Sequence, residues 1–449
     1  MTGARKHRPL STRAALAFAV FFASISYAPA SLAEPDNDEI GGVTRPSSPP
    51  GENGRAVLDA LLFIPRALVQ VVVLASTATA SFFEDQQVVP RAESLLRSDD
   101  GTVRVAPTIS LASGLRPDVG ARMTSHVGSF GSMLRASIID PDYYVTEARL
   151  LKSFGEKRQT QIVVEGYQQR RSGQTFAGVG QSPESDPRNV FVPGRAGQSG
   201  TFLENRQRVI LALATRFAED YELLLSTSYQ RRTLENSPDT AGETVADTFA
   251  PGSAPGANDR SERAYSEVAL RRDTRAVRGP PAAGLLLEAY GGSSQDVKDK
   301  YAAALHAGGR AAWFVSVVRK TSIINPRVTL DIVAPLGDRP LPFRELAYAS
   351  SFRGIGGRVD RVAALASLDY RWQLRKYVAA RLFADATTVA PQVSELKLTD
   401  LAWAVGAGVD LHSTTTEIGR LGLAYSPGGI QFILVFGLAD PGFGDRQHR

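Results

Sequence analysis

VAALASLDYRWQL, residues 362–374, alternates apolar and polar side chains along its length. Its even positions are all apolar or aromatic: Val362, Ala364, Ala366, Leu368, Tyr370, Trp372 and Leu374. The polar residues among the odd positions from 361 onward are Arg361, Ser367, Asp369, Arg371 and Gln373. Successive side chains of a strand leave opposite faces, and a tilted strand of about 9 to 11 residues crosses the hydrocarbon layer of a bilayer. The stretch therefore indicates a strand in the wall of a membrane β-barrel.

The same pattern recurs in segments 401–411 and 221–230, and an apolar, aromatic strand follows at 429–436. We predict an all-β fold, a transmembrane antiparallel β-barrel of about sixteen strands preceded by a short helical segment; an even number of about 8 to 26 strands is usual in bacterial barrels. The predicted strands lie near 103–112, 117–126, 131–139, 143–153, 158–170, 204–217, 220–233, 263–273, 283–291, 300–313, 316–334, 360–374, 377–389, 400–412, 416–426 and 429–437.

Three long polar insertions interrupt the predicted strands, at Ser172 to Phe202, Glu235 to Glu262 and Leu336 to Asp360. They alternate with tight turns such as 154–157 and 218–220. One rim of the barrel should therefore carry long loops and the other short turns. In membrane barrels the long loops face outward and the short turns face the periplasm.

The N-terminal 33 residues read as a secretory signal peptide. Arg5, Lys6, Arg8 and Arg13 precede an apolar run that ends in small residues up to Ala33. Removing these four basic residues from 51 leaves 47 against 46 acidic residues, which takes away any charge argument for nucleic acid as a partner. The chain has no cysteine, so disulfide frameworks, thiolate sites and a cysteine-linked lipid anchor are excluded.

Residues 34–54 are rich in proline, glycine, serine and acids, which predicts a disordered linker. Residues 55–101 are predicted as a helical periplasmic or interfacial segment. The uncharged run 67–83 leaves three interpretations open: an interfacial helix under the barrel, a helix that plugs the lumen, or a transmembrane helix. The barrel is assigned to 102–437 and a polar tail to 438–449.

The third long insertion contains the motif Phe352-Arg353-Gly354 among further glycines, directly before the strand at 362–374. The next strand contains Arg381, Phe383 and Asp385 at alternate positions, so that these three side chains share one face. The last predicted strand along the chain is apolar and aromatic, with Phe432, Leu434 and Phe436 on one side.

This order resembles the BamA/TamA-type outer-membrane assembly factors, also called the bacterial surface antigen family. The resemblance is strongest over the final hundred residues. It implies that the sixth outer loop folds into the lumen, where Arg353 of the Phe352-Arg353-Gly354 motif pairs with Asp385 near Phe383. It also implies that Phe432, Leu434 and Phe436 form a terminal-strand signal that the assembly machinery recognises. Under seventy residues separate Ala33 from Thr102, so no periplasmic polypeptide-transport-associated (POTRA) domain is expected.

The resemblance implies a location in the cell outer membrane and a role in inserting or translocating outer-membrane proteins or lipids through a weak seam between the first and last strands. The expected partners are the lipid bilayer, the assembly machinery during the chain's own insertion, and nascent barrel proteins or lipids. Pro107 lies in the first strand and cannot donate to a ladder, which fits a weakened edge.

Two other classes of function make different demands on the sequence. A porin-like or scaffold barrel without insertase activity would use Arg206, Arg208 and Arg216 in its lumen to favour anionic solutes. An enzyme would need a histidine beside a nucleophile, and only His412-Ser413 offers a start. The prediction is a protein that is not an enzyme, with no catalytic residues, metal site or cofactor.

Overall fold

The computed structural model describes residue 98 and residues 102–436, with gaps at 113–117, 156–158, 219, 239–242, 276–282, 319–321, 356–357, 376 and 413–416. The predicted signal peptide 1–33, linker 34–54 and tail 438–449 lie outside the described residues. So does the predicted helical segment 55–101, except for Ser98.

Sixteen antiparallel strands close into a barrel, so the predicted fold class and strand number are confirmed. The wall strands are β1 (Val103–Ala112), β2 (Asp118–Val127), β3 (Phe130–Asp140), β4 (Tyr143–Phe154), β5 (Thr160–Phe176), β6 (Gly200–Arg216), β7 (Tyr221–Asn236), β8 (Arg260–Asp273), β9 (Gly284–Asp296), β10 (Ala303–Val318), β11 (Ser322–Leu336), β14 (Val362–Arg375), β15 (Val378–Ala390), β16 (Ala402–His412), β17 (Glu417–Ser426) and β18 (Gly429–Phe436). Each strand pairs with its sequence neighbours in the wall, and β18 pairs with β1.

The remaining elements belong to the loops. β12 (Ala347–Tyr348) pairs with β13 (Val359–Asp360) inside the loop between β11 and β14. A helical turn, α1 (Val245–Thr248), lies between β7 and β8, and 3-10 turns lie at Phe343–Glu345 and Val393–Glu395. In the part of the chain that the structure describes, no helix has the length and apolar character needed to cross a membrane.

Two predicted boundaries were wrong. β10 continues to Val318 and β11 begins only at Ser322, because the β-forming residues 313–318 extend the strand past the predicted turn at 314–315. The first long insertion is shorter than predicted, since β5 reaches Phe176 and β6 begins at Gly200. The first correction moves the turn towards the C-terminus, and the second lengthens strands at the expense of a loop.

Alternate side chains face outward and into the lumen, as the pattern predicted. On β6 the side chains of Val209 and Leu211 are more than half exposed, whereas Arg208 and Ile210 are buried. The exposed set forms an apolar belt around the barrel. Aromatic residues of this exposed set cluster at the short-turn rim: Phe130, Phe154, Phe217, Tyr221 and Trp313.

Candidate functional site

The loop between β11 and β14, residues 337–361, folds into the barrel, and we call it the inward loop. It carries the Phe352-Arg353-Gly354 motif that the sequence singled out. Charged side chains of the loop meet charged side chains of the lumen wall in two places. We call these contacts the first clasp and the second clasp.

The first clasp joins Arg353 to Asp385 on β15. The Arg353 Nη2 lies 2.6 Å from Asp385 Oδ1, and its Nε and backbone N–H donate to Asp385 Oδ2 at 2.8 and 3.0 Å. The carboxylate side chain of Asp385 is fully buried. A forked guanidinium that binds both carboxylate oxygens is the strong geometry for such a pair. The structure thus brings together the two residues that the family resemblance pairs.

Three further wall residues complete the first clasp. Asp369 Oδ1 on β14 accepts from Arg353 Nη1 at 2.5 Å, and Ser367 Oγ accepts from Nη2 at 2.8 Å. The guanidinium carbon of Arg353 lies 3.8 Å from the centre of the Phe383 ring, within cation–π range. Asp369 and Ser367 belong to the polar face that the sequence identified, but their contact with the loop was not predicted.

Two glycines make room for the first clasp. A Cβ on Gly406 of β16 would lie 2.3 Å from the Phe383 ring, so glycine at 406 leaves the space that this ring occupies. A Cβ on Gly354 would lie 2.5 Å from the Phe352 ring and 3.0 Å from Ala404 on β16. The loop therefore passes between its own phenylalanine and the wall at a point where no side chain fits.

The second clasp lies on the wall formed by β6 and β7 and was missed by sequence reasoning. Glu204 of β6 is buried, and its carboxylate lies 2.8 Å from Arg232 Nε on β7 and 3.1 Å from Arg344 Nη2 of the inward loop. Arg232 also pairs with Glu345 of the loop. Arg344 and Glu345 read in the sequence as solvated loop residues, and nothing in their spacing points to partners that lie more than a hundred residues earlier.

An aromatic cluster, which we call the cap, packs just above the second clasp. The Phe343 ring stacks on Phe176 at a centroid distance of 4.2 Å and meets Phe202 edge-on at 5.3 Å. Phe249 and Val245 of the β7–β8 loop belong to the same buried cluster. The cap therefore joins the inward loop, the β7–β8 loop and the ends of β5 and β6 across the mouth at the long-loop rim.

The β5–β6 loop, residues 177–199, is tied to the end of the inward loop. Arg188 places Nη1 and Nη2 at 2.8 and 2.7 Å from the two oxygens of Asp360, whose side chain is fully buried, and Nη2 lies 2.6 Å from Asp186. The hydrogen bond to Asp360 is the main cause of a raised Arg188 pKa. The hydrogen bond from Arg188 holds the pKa of Asp186 below its usual range.

We predict that Arg188→Ala weakens the attachment of the β5–β6 loop to the barrel by about 1–3 kcal/mol, because Asp360 stays buried without the guanidinium that binds it. A depressed carboxyl pKa adds stability above the unfolded pKa of about 3.9 and loses it as the pH falls through the folded pKa. The loop of the unmodified chain should thus resist protease equally at pH 5 and 8 and be cut faster only below about pH 4. Limited proteolysis within 177–199 measures both effects. Equal cleavage of the variant and the parent at pH 7 would contradict the tether.

Among the described residues, the seam between β1 and β18 has the shortest ladder in the barrel wall. Four described residue pairs form it, from Ile109 with Phe436 to Ala112 with Ile433. Eight pairs join β1 to β2, and eight join β17 to β18. Because β18 begins its pairing at the middle of β1, residues 103–108 pair with β2 alone among the described residues.

The backbone of β1 explains part of this weakness. His126 N–H donates to Thr102 O. The backbone N–H and C=O groups of even-numbered β1 residues therefore point towards β2, and those of odd-numbered residues point towards the seam. On the seam side, Val103 N–H donates to Ser98 Oγ at 3.0 Å, and Val103 O accepts from Ser98 N–H at 2.9 Å. Pro107 has no N–H to offer. On the seam side of β1, the backbone of Val103 is therefore hydrogen-bonded to Ser98, and Pro107 offers no N–H donor.

The terminal-strand residues Phe432, Leu434 and Phe436 alternate in phase with Ile430, whose side chain is exposed on the outer face. Phe432 and Leu434 therefore occupy outward positions on β18, next to the seam. Their role as a recognition signal stays a prediction.

The remaining sequence candidates lie at separate places in the barrel. Arg206 and Arg208 face the lumen beneath the cap, where Arg206 Nε donates to Gln230 at 2.5 Å, and Arg216 lies exposed at the short-turn rim. His412 Nε2 lies 3.0 Å from Gln373 Oε1, while Ser413 is outside the described residues. Elsewhere His306 Nε2 lies 2.8 Å from Ser294 Oγ, but Arg263 donates to the same hydroxyl and both residues are buried. Within the described ranges, no three metal-binding side chains gather as ligands.

No protein-family model and no curated protein matches the chain. Among solved structures, BamA from Haemophilus ducreyi lacking POTRA domains 1–3 is similar with a TM-score of 0.53 and 13% identity, over 75% of this chain and 70% of that chain. CdiB from Escherichia coli has a TM-score of 0.48 and 10% identity, and CdiB from Acinetobacter baumannii has 0.45 and 9%. Each CdiB alignment covers 75% of this chain and 62% or 60% of the other. The BamA likeness establishes a shared barrel fold.

Proposed function

We propose that this chain is an outer-membrane barrel of the assembly-factor type, which inserts or translocates outer-membrane proteins or lipids through the seam between β1 and β18. The single observation that carries the proposal is the four-pair ladder at that seam, against eight pairs on either side of it. A wall that is weak at one line can open sideways into the bilayer while the rest of the barrel stays intact.

A location in the outer membrane is supported by the exposed apolar belt and by its aromatic residues. Phe130, Phe154 and Phe217 lie at the short-turn rim, and Tyr229 and Tyr425 lie towards the long-loop rim. Aromatic girdles on both sides of an apolar band are typical of barrels that span a bilayer. The outward positions of Phe432 and Leu434 suit recognition by the assembly machinery during the chain's own insertion.

Charge in the lumen supports a seam at this place. Arg381 of β15 and Arg420 of β17 both pair with Asp410 of β16, at 2.9 and 3.1 Å, and so tie three strands together. On β18 the lumen-facing positions are Gln431, Ile433 and Val435, which carry no charge. The ion pairs that link the strands β15 to β17 therefore have no continuation on β18.

The cap weighs against the alternative of a passive, porin-like barrel. It places Phe343, Phe176 and Phe202 in the mouth, and the second clasp lies just beneath it. Arg206 and Arg208, which would attract anionic solutes, lie under that cover. A mouth that these side chains partly cover suits a barrel that handles its substrate at the wall better than one that conducts through its lumen.

We predict that a disulfide across the seam abolishes the activity. The chain has no cysteine, so Ser110→Cys with Val435→Cys introduces one disulfide at a directly paired position. The oxidised variant in liposomes should accelerate the folding of a second, unfolded barrel protein at least tenfold less than its reduced form. A parallel assay of labelled lipid transfer between leaflets separates protein from lipid substrates.

Thiol chemistry itself is controlled with Thr227→Cys and Ser266→Cys, which pair across β7 and β8 far from the seam. Oxidation of this pair should leave the activity unchanged. If the seam disulfide has no effect on either assay, the seam is not the route. Steady ion currents through the unmodified barrel in planar bilayers would instead support the conducting alternative.

A further inference from the structure

The tip of the inward loop reaches beyond the first clasp to the terminal hairpin. Ile355 N–H donates to Ser426 Oγ at 3.1 Å. Ser426 is the last residue of β17, and it is buried. Its hydroxyl also lies 3.4 Å from the carbonyl oxygen of Gly429, the first residue of β18. The loop is therefore hydrogen-bonded to the turn that joins the last two strands.

The side chain of Ile355 rests on the same turn at Gly428. A Cβ added to Gly428 would lie 3.1 Å from Ile355 Cβ, 3.2 Å from its Cγ2 and 3.3 Å from its carbonyl oxygen. These distances are shorter than ordinary van der Waals contact between such atoms. A methyl group at 428 would therefore push Ile355 away from the turn by a few tenths of an ångström.

Three consecutive residues thus connect the inward loop to every wall strand from β14 to β18. Arg353 binds Asp369 on β14 and Asp385 on β15, Gly354 lies against Ala404 on β16, and Ile355 contacts the β17–β18 turn. The charged links that join β15 to β17 have no charged side chain to meet on the lumen face of β18. Ile355 extends the connection to the start of β18 through its hydrogen bond to Ser426 of β17 and its contact with Gly428 in the turn.

We infer that Ile355 is a positioning residue that braces the terminal hairpin, and that this brace sets how often the seam opens. Among the described residues, four pairs hold β18 to β1, so a contact at its turn has a large share in fixing its place. The brace itself follows from the contacts of the loop tip. Its consequence for activity rests on the proposed function.

Amide hydrogen exchange of residues 429–436, in the full chain in lipid nanodiscs without substrate, tests the brace directly. Gly428→Ala should speed exchange severalfold, because the new methyl group displaces Ile355. Gly428 does not have a positive φ, whereas Gly429 has a φ of +124°, so alanine at 428 puts no strain on the backbone itself. Ile355→Ala should speed exchange by a similar factor, because the apolar contact is lost.

The double variant decides whether the two residues act on each other. With Ile355 already shortened, Gly428→Ala should add little, since the side chain that it displaces is gone; residues in contact show such non-additivity. Ile430→Ala on the same hairpin, with an outward, exposed side chain, is the matched control and should match the parent.

Exchange at the parent rate in both single variants would overturn the brace. Full additivity in the double variant would also overturn it, because Gly428→Ala would then act on the turn and not through Ile355. Neither outcome depends on a substrate, so a failed brace remains distinct from a failed proposed function. The latter is decided by the disulfide across the seam.

Discussion

Arg353→Ala should lower the temperature at which the barrel loses its compact migration in detergent gels and should expose the inward loop to protease. Removing the guanidinium leaves Asp385, fully buried, and Asp369 facing each other without their shared partner. Breaking a buried ion pair by deleting one member costs about 3–5 kcal/mol. We expect most of this cost in the attachment of the loop, since the barrel ladders do not depend on Arg353. Protease cleavage within 337–361 therefore measures the effect most directly.

Exchanging the charges separates the pair from its surroundings. Arg353→Asp and Asp385→Arg should each release the loop. The double exchange should recover part of the loss, because an arginine at 385 can bind both Asp369 and the new carboxylate at position 353. Arg361→Ala, at an exposed arginine of the same loop, is the matched control. If both single variants resist protease as the parent does, the ion pair between Arg353 and Asp385 does not hold the loop, and other contacts do.

Phe343→Ala should open the mouth of the barrel. The ring packs against Phe176 and Phe202, and truncating a buried phenylalanine costs about 3–5 kcal/mol. The cap joins loops, so its loss should loosen them without unfolding the wall. Single-channel recording should then show ion currents that the parent protein lacks. The heat-modified gel shift should stay close to that of the parent.

Val190→Ala supplies the control for the cap, because Val190 is an exposed apolar residue of the β5–β6 loop. It should leave the currents at the parent level. A parent barrel that already conducts as much as the Phe343→Ala variant would show that the cap does not seal the lumen.

The wall was predictable because its signal is local. Alternation within 362–374 and 401–411 assigns each side chain to a face without any knowledge of its neighbours in space. The strand ends were less predictable. β10 continues through 313–318 because these residues still favour a strand. A hairpin with its turn at 314–315 and one with its turn after Val318 differ only in where the turn lies, and the sequence does not separate them.

The site was predictable only where a motif carried it. Arg353 and Asp385 were paired through the resemblance of their surroundings to a known family, whereas Glu204 and Arg344 are 140 residues apart with no motif around either. Phe343 lies in an insertion that its composition identified only as polar. Its partners come from β5, β6 and the β7–β8 loop, and only the closed barrel brings them together.

The two clasps hold the inward loop at separate parts of the wall, with the four strands β8 to β11 between β7 and β14. No residue belongs to both clasps. Interactions at distant sites with no shared partner contribute nearly additive free energies. The probability that both clasps are broken at the same time is then close to the product of the two separate probabilities, each of which is small. Either clasp can break and re-form many times while the other keeps the loop in the lumen. Complete release of the loop from the lumen would therefore be far rarer than the breaking of either clasp alone.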